Sequence, residues 1–129
     1  MNAESLIVVD SVSEPYWSGL KQGRLLFQSC GCGHRWLPAA RHCPKCLGED
    51  WKWVQASGEA HVESWVVYHV AYHSEFKDKL PYNVAIVQLV EGPRMITNIE
   101  GDLSRLAVKA PVSLKIDTAM TQPLARFSI

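Results

Sequence analysis

The chain has 129 residues, 47% of them hydrophobic, and its 13 basic and 13 acidic side chains leave no formal net charge at pH 7. This length supports one domain, or a small domain with an appendage, and the composition supports one hydrophobic core. The neutral balance argues against a dedicated nucleic-acid binder, which usually carries a basic excess. No apolar run of 18 residues is present, so we expect no membrane-spanning helix.

The N-terminal segment gives two expectations. Residues 1–5 (MNAES) lack the basic start of a secretory signal, so we expect a cytoplasmic protein. Residues 6–9 (LIVV) are predicted to add a short strand or to pack as an arm.

A short helix is predicted to begin near Ser13. Ser13 can cap it, and Pro15 is tolerated in the first turn because its missing N–H would be unpaired there. Gly23 is expected to end the helix.

Three apolar side chains, Tyr16, Trp17 and Leu20, fall at helical spacing on this helix. They either cover the protein's own core or anchor a partner, since Trp and Tyr are enriched at the centres of protein interfaces. The helix is short, and its sequence leaves both interpretations open.

All four cysteines lie in one stretch, CGCGHRWLPAARHCPKC, as Cys30, Cys32, Cys43 and Cys46. Two pairs on separate turns, joined by a ten-residue loop, are typical of a four-thiolate metal site. Cys43-Pro44-Lys45-Cys46 has the spacing of a zinc knuckle, and Gly48 is expected to relax the backbone after it. Cys30-Gly31-Cys32 is one residue shorter, but residues two apart in an extended segment still face the same side.

Several occupants of this site are conceivable from the sequence. His34 or His42 is a candidate to replace a thiolate that cannot reach the ion. An empty ribbon or a disulfide is an alternative to zinc, although a disulfide needs an oxidising compartment. With four protein ligands, a zinc ion has no open position for water or substrate, so we predict a structural rather than a catalytic metal.

Basic residues exceed acidic ones between residues 24 and 52. The basic side chains are those of Arg24, Arg35, Arg41, Lys45 and Lys52, against Glu49 and Asp50. They either meet phosphates or form a solvated face that offsets the negative charge of a thiolate site.

The chain is predicted to be mainly β. Strands are expected at 24–29, 34–38, 51–54, 61–70, 83–90, 95–99, 112–117 and 124–129, with a hairpin turn at 91–94, a polar loop at 72–81 and a helical turn within 102–109. Alternation in the long strand places Val62, Val66, Tyr68 and Val70 on one face and Trp65 and Val67 on the other. Segment 83–90 is nearly continuously apolar. Five or so strands in about seventy residues fit a small closed β-barrel such as an OB-fold.

No catalytic residues are predicted. The sequence contains neither a GxSxG nucleophile elbow nor a glycine-rich phosphate loop. His61 and His69 lie about 26 Å apart on an extended strand, too far to act together. His73 and Glu75 are a candidate pair, but exposed loop residues are the commoner explanation.

The order of these features resembles the family once called domain of unknown function 35. Its features here are Tyr16-Trp17 with Leu20, Cys32-Gly33, Cys43-Pro44-Lys45-Cys46, Ser57-Gly58, Ser64-Trp65, Pro81-Tyr82 before NVAIVQLV, Glu91-Gly92-Pro93-Arg94, Thr97-Asn98-Ile99 and Phe127. The set spans about 110 residues. The chain departs from the family pattern at Cys30-Gly31-Cys32, where two intervening residues are usual.

The resemblance implies an N-terminal arm and helix (1–23), a rubredoxin-like zinc ribbon (24–53) and an OB-fold barrel (54–129). It also implies a non-catalytic accessory subunit of an acyl-CoA complex, with a thiolase-fold enzyme or retro-aldolase as partner, some members serving steroid side-chain degradation. The alternative within the family is a subunit of a hot-dog-fold enoyl-CoA hydratase. Helix and ribbon would bridge to the partner, so Tyr16, Trp17 and Leu20 are predicted to bind it.

Two further functions follow from the residues. The first is direct acyl-CoA binding, with Arg41 and Lys45 contacting the CoA phosphates at a site shared with the partner. The second, from a different class, is a single-stranded nucleic-acid-binding OB-fold, in which aromatic side chains stack on bases. The neutral charge weighs against nucleic acid.

Overall fold

The computed structural model describes residues 10–68, 82–119 and 121–129. The predicted N-terminal strand at 6–9 and the whole of the predicted loop at 72–81 lie outside these ranges, together with His69, His73 and Glu75. Among the described residues, no helix is both long and apolar enough to cross a membrane.

Helix α1 spans Glu14–Lys21 and carries Pro15 in its first turn. Ser13 occupies the N-cap position, but its side chain makes no capping bond to the helix, so the predicted cap is wrong. The carboxylate of Asp10 instead accepts the backbone N–H groups of Val12 and Ser13, at 3.0 and 2.7 Å. The Ser13 hydroxyl accepts the backbone N–H of Asp10. An Asx turn therefore sets the entry to the helix.

A three-stranded antiparallel sheet follows, made of β1 (Leu26–Cys30), β2 (Arg35–Trp36) and β3 (Trp51–Gln55) in the order β2-β1-β3. The strands lie where the sequence predicts them. Cys30 pairs with Trp51 across β1 and β3, and Ser29 with Arg35 across β1 and β2. The first cysteine turn is thus fixed between two paired strands.

The second sheet has six strands, in the order β6-β5-β4-β8-β9-β7. Their bounds are β4 Glu59–Tyr68, β5 Tyr82–Leu89, β6 Arg94–Thr97, β7 Ile99–Glu100, β8 Pro111–Asp117 and β9 Leu124–Ser128, with a 3₁₀ turn at Leu103–Arg105. All pairings are antiparallel except β7 with β9. The prediction of a mainly β chain with one N-terminal helix is confirmed.

The predicted closed barrel needs one correction. The backbone ladder is interrupted at Asn98: β6 pairs with β5 and β7 pairs with β9, and these two end strands of the sheet are successive parts of one chain run. Side chains bridge the interruption: Thr97 Oγ1 donates to the Ala125 carbonyl at 3.0 Å, and Arg126 donates to Asn98 Oδ1 at 3.1 Å. A partly open barrel of this kind is usual for the OB-fold.

The predicted faces of the long strand are wrong at Trp65 and Val66, while the side chain of Tyr68 and all of Val70 lie outside the described part of the chain. A β-bulge shifts the register of β4 against β5 between Val62 and Ser64. Val62 is fully buried, whereas Val66 is 51% exposed and Trp65 packs against the core. A bulge adds one residue to one strand, so strict alternation cannot continue through it.

The main core joins the helix, the first sheet and the barrel. Its buried side chains include Leu20, Leu25, Phe27, Val62, Val87, Leu89, Val112 and Phe127. A second, smaller cluster forms around the cysteines, where Cys30, Trp36 and Cys43 are buried together.

Candidate functional site

The four cysteine sulfurs converge on one point. All four Sγ atoms lie within 4.8 Å of one another, with Cys30 and Cys46 at 3.6 Å and Cys32 and Cys43 at 3.7 Å. A tetrahedral zinc ion, with bonds of about 2.3 Å to sulfur, sets its ligand atoms about 3.8 Å apart. The spacing therefore fits a four-thiolate zinc site.

The first cysteine turn accommodates its short spacing through the backbone. Cys30 N donates to the His34 carbonyl at 2.8 Å, and Gly33, at φ +95°, donates to the Cys30 carbonyl. The N–H of Gly31 donates to the Asp50 carbonyl, and a Cβ at residue 31 would overlap the Asp50 carboxylate. A side chain at this position would thus force Asp50 to move.

The second cysteine turn is closed by two backbone hydrogen bonds. Cys43 N donates to the Gly48 carbonyl and Leu47 N to the Cys43 carbonyl, both at 2.8 Å. The left-handed residue is Leu47, at φ +63°, and not Gly48. The expectation that Gly48 relaxes the backbone is therefore wrong. A Cβ added at Gly48 would lie 3.4 Å from the Cys46 sulfur.

A buried amide holds the loop that leads into the second turn. Gln28 is fully buried in β1, and its side chain both donates to the Ala40 carbonyl and accepts the Ala40 N–H, each at 2.8 Å. Aromatic rings pack beside the cysteines: Trp36 packs edge-on against Trp51 and stacks on His34. These contacts therefore preorganise the ribbon for metal binding.

The pKa values of the two buried thiols, Cys30 and Cys43, are shifted in opposite directions. Burial works to raise the pKa of Cys43, but hydrogen bonds from the backbone N–H groups of Cys46 and Lys45 and from neighbouring thiols lower that pKa to about 7. At Cys30 the N–H of Cys32 works to lower the pKa, but burial and neighbouring thiols raise it to about 12. Four thiolates this close need a cation, so metal binding displaces protons.

The two histidines that were candidate ligands, His34 and His42, lie outside the metal cluster. His34 stacks on Trp36, with ring centroids 5.7 Å apart, and His42 lies beside Glu49 at 3.8 Å. Neither histidine belongs to the described metal cluster. All four cysteines are free, so no disulfide joins them. A site closed by four protein sulfurs can organise the fold but offers a substrate no open position.

The predicted partner-binding residues separate into two groups. Leu20 is 1% exposed and belongs to the main core. Tyr16 and Trp17 are partly buried, contact each other edge-to-face at 4.9 Å and pack against the edge of the same core. The indole N–H of Trp17 is buried without a hydrogen-bond partner among the described residues. Of the three, Tyr16 and Trp17 keep part of their surface exposed.

These two aromatic rings line an open, mainly apolar pocket of about 440 Å³, called here the helix pocket. Its other walls come from the helix entry, the ribbon loop and β6: Asp10, Ser13, Leu37, Pro38, Ala39, Met95 and Ile96. Sequence reasoning missed the ribbon and β6 contributions, because residues so far apart in the chain meet only through the packing of ribbon on barrel.

The predicted CoA contacts lie at the surface of the ribbon. The Arg41 guanidinium forms an ion pair with Glu49 at 3.1 Å, and its side chain is 74% exposed. Lys45 is exposed on the second cysteine turn. An exposed pair of this kind is worth little and is readily exchanged for another anion.

Two family models match the chain. The rubredoxin-like zinc ribbon domain of ChsH2 matches residues 17–52, and the C-terminal OB-fold domain of ChsH2 matches residues 53–117. Together with the geometry of the four sulfurs, these matches confirm the predicted zinc ribbon and OB-fold.

Three relatives are informative. A protein named probable enoyl-CoA hydratase alpha subunit, from Thermomonospora curvata, is 35% identical over 116 residues, which cover 86% of this chain and 36% of that protein. A DUF35 domain-containing scaffold protein from Pyrococcus furiosus is 32% identical over 85 residues, covering 65% of this chain and 62% of that one. A chain of a solved structure described as an Ltp2-ChsH2(DUF35) aldolase has a TM-score of 0.83 and 32% identity, covering 95% of this chain and 97% of that one.

This chain thus spans between about a third and three fifths of these two sequence relatives. A DUF35 structure from Sulfolobus solfataricus, 21% identical with a TM-score of 0.69, covers 98% of this chain and 91% of that one and shares the fold.

Proposed function

This chain belongs to the DUF35 family, with the zinc ribbon and OB-fold of ChsH2, and from that premise we propose that it is a non-catalytic accessory subunit of an acyl-CoA-processing complex. In this proposal its partner is a thiolase-fold enzyme or retro-aldolase of the kind that serves steroid side-chain degradation. The subunit docks on the partner and helps to shape its acyl-CoA site.

The observation that carries this proposal is the likeness to the Ltp2-ChsH2(DUF35) aldolase. That structure matches almost end to end, at 32% identity and a TM-score of 0.83. A match of this extent covers helix, ribbon and barrel together. It supports a shared way of binding a partner better than a match to one domain would.

The metal centre fits a structural role in such a complex. Four sulfur ligands hold zinc without an open coordination position, so the ion stabilises the ribbon and takes no part in chemistry. The residues that would hold it are Cys30, Cys32, Cys43 and Cys46. Free thiols in a zinc site suit a reducing compartment, and a cytoplasmic location is part of the proposal.

The helix pocket is the docking site that we assign to the partner in this proposal. Tyr16 and Trp17 give it large apolar surfaces. Such aromatic anchors contribute most of the binding energy in many interfaces.

A second candidate partner is an enoyl-CoA hydratase. The relative from Thermomonospora curvata carries that name, and the matched region covers 36% of it. In this version the chain corresponds to one module of a larger subunit, and the catalytic residues lie in the partner or in another module.

The proposal further includes binding of the acyl-CoA at a site that this chain shares with its partner. Arg41 and Lys45, both exposed on the ribbon, would contact the CoA phosphates. Arg41→Ala and Lys45→Ala should weaken CoA binding by the complex without unfolding it. Lys52→Ala, another exposed basic change in the ribbon, is the matched control. Unchanged CoA affinity in both variants would remove Arg41 and Lys45 from the site.

The experiment that tests the function is native co-purification from the source cell, with mass spectrometry of the bound protein and a zinc count on the same sample. A thiolase-like or hydratase-like protein in stable stoichiometry is the expected result and decides between the two partners. Turnover of acyl-CoA by the purified chain alone would contradict the non-catalytic role. Salt-sensitive binding of a single-stranded oligonucleotide, with no acyl-CoA enzyme captured, would favour the nucleic-acid function instead.

A further inference from the structure

One wall of the helix pocket lies between the two hydrophobic clusters of the chain. This wall is the ribbon loop Leu37-Pro38-Ala39, which runs from β2 toward the second cysteine turn. Its first residue, Leu37, packs against the main core. Ala40, which follows the wall directly, packs instead against the smaller cluster around the cysteines. The wall is therefore held at one end by the main core and at the other end by the metal site.

The other apolar walls of the pocket are held by the main core and the large sheet. Tyr16 and Trp17 on α1 and Met95 on β6 pack against that core. Ile96, next to Met95, pairs with Ile86 of β5. Among the described lining residues, the ribbon loop is the part that continues directly into the metal site.

Two contacts fix the Ala40 end of the ribbon loop, and both involve residues packed around the cysteines. The buried Gln28 side chain holds both backbone groups of Ala40, at 2.8 Å each. The next carbonyl, that of Arg41, accepts the indole N–H of Trp51 at 2.7 Å, and Trp51 packs against the cysteine cluster. The fully buried ligand Cys43 follows two residues later. The position of the loop is thus tied to the position of the cysteines.

We propose that the helix pocket is coupled to the metal site: its ribbon-loop wall keeps the position seen here when the four cysteines hold zinc, and leaves it when they do not. Four thiolates within 4.8 Å of one another need a cation, and in small metal domains the energy of metal binding is also folding energy. Without the cation the Cys43 turn and Ala40 lose their fixed position. Leu37 stays in the main core, so the wall opens at Pro38 and Ala39.

Gln28 is the positioning residue of this coupling, because its side chain joins β1 to the loop between the wall and Cys43. The coupling does not depend on which protein occupies the pocket. By linkage, zinc and any occupant of the pocket strengthen each other's binding by the same factor.

The first test compares hydrogen exchange at two matched backbone N–H groups, in the zinc-loaded chain and after chelation. A buried amide side chain accepts each of them: Gln28 accepts the Ala40 N–H at 2.8 Å, and Asn83 accepts the Ile99 N–H at 2.7 Å. Chelation should accelerate exchange at Ala40 by about tenfold or more and leave Ile99, in the barrel, unchanged. Unchanged exchange at Ala40 overturns the coupling, and so does equal acceleration at both groups, which would mean that the whole chain unfolds.

The second test follows the pocket itself through the isotope-labelled methyl group of Met95, which lines the pocket from the barrel side. Its NMR signal, assigned with Met95→Leu, should shift when zinc is removed. In zinc-saturated Gln28→Leu the metal is bound but the clamp is missing, so the signal should lie near its zinc-free position. Gln55→Leu, at an exposed position in β3, is the control and should match wild type. A signal that ignores zinc overturns the coupling, and a wild-type signal in Gln28→Leu removes Gln28 from it.

The third test uses the acyl-CoA enzyme subunit that co-purifies with wild type. It should bind the zinc-loaded chain about fivefold or more tightly than the chelated chain, and it should raise the zinc affinity by the same factor. Equal affinity for both forms overturns the coupling and leaves the proposed function standing. If no acyl-CoA enzyme is captured, the proposed function fails, and the two NMR measurements on the chain alone still decide the coupling.

Discussion

The side chain of Asn83 replaces a piece of backbone ladder opposite Ile99. Its Nδ2 donates to the Ile99 carbonyl at 2.8 Å, and its Oδ1 accepts the Ile99 N–H at 2.7 Å. Asn83 lies in β5 and Ile99 in β7, so the pair joins strands that share no backbone ladder. In the ribbon, Gln28 makes the same two-bond pairing with Ala40.

Asn83→Ala should lower the free energy of unfolding by about 2–4 kcal/mol, because it leaves two buried backbone groups of Ile99 without partners. Asn83→Asp, which keeps the acceptor but loses the donor, should also destabilise the chain. Denaturant unfolding followed by far-UV circular dichroism measures both. Gln88→Ala, at an exposed amide that donates to the Gly92 carbonyl, should cost less than about 0.5 kcal/mol. Similar losses at both positions would contradict the bridging role of Asn83.

Gln28→Leu should weaken zinc binding, although residue 28 contacts no ligand sulfur. The amide holds Ala40 in the loop before Cys43, and its loss frees that loop. Supporting residues around metal sites typically change affinity 10- to 100-fold. Competition with a chromogenic chelator measures the affinity, and Gln55→Leu, at an exposed position in β3, is the control. Zinc affinity equal to wild type would show that the loop is held by other contacts.

Substitution of any one of the four cysteines by serine should reduce bound zinc to well below one per chain. His34→Ala and His42→Ala should leave the zinc content unchanged, because neither ring reaches the sulfur cluster. Elemental analysis of purified protein gives the count. Cobalt substitution should also show thiolate-to-metal charge transfer in wild type and in both histidine variants. Loss of metal in either histidine variant would contradict a four-sulfur ligand set.

Tyr16 should make stability fall at alkaline pH. Burial raises the pKa of Tyr16 to about 12, from 10.0 for a free phenol. The folded state thus disfavours the phenolate, so this contribution is complete below pH 10 and is lost as the pH rises from 10 to 12. Tyr16→Phe should remove this part of the pH dependence.

The measurement is the difference in free energy of unfolding between wild type and Tyr16→Phe, followed across that pH range. Lysines titrate in both proteins and cancel in the difference. A difference that does not change between pH 9 and 12 would show that Tyr16 ionises as a free phenol does.

Leu47→Gly should stabilise the second cysteine turn by roughly 0.5–1 kcal/mol. Leu47 is left-handed at φ +63° and 73% exposed, so its side chain adds backbone strain without core packing. Leu47→Ala, which keeps the Cβ, should give no such gain. Thermal unfolding of the zinc-loaded protein measures both. A destabilised glycine variant would mean that the leucine side chain makes a stabilising contact.

Much of the fold follows from local pattern. The spacing of the four cysteines predicts the metal ligands because a chelating turn needs only neighbouring residues. The strands were predicted within a few residues because apolar periodicity and glycine turns are local signals. The helix is likewise predicted, although Asp10 and not Ser13 sets its first turn.

Other features depend on contacts between distant parts of the chain. The bulge between Val62 and Ser64, which turns Val66 outward, is fixed by pairing with β5 and leaves no mark in the periodicity of β4 itself. Leu20 is fully buried, whereas Tyr16 and Trp17 stay partly exposed. This difference depends on what packs against each face of the helix.

The sequence by itself determined the metal site, the order of helix, ribbon and barrel, and the resemblance to a family of accessory subunits, because each depends on residue types at fixed local spacings. Only the tertiary structure decided which apolar residues remain outside. Ile96 is 71% exposed and lines the helix pocket, because β6 pairs with β5 and lies beside the ribbon loop. No local pattern distinguishes it from a core isoleucine, since burial is a property of the assembled surfaces.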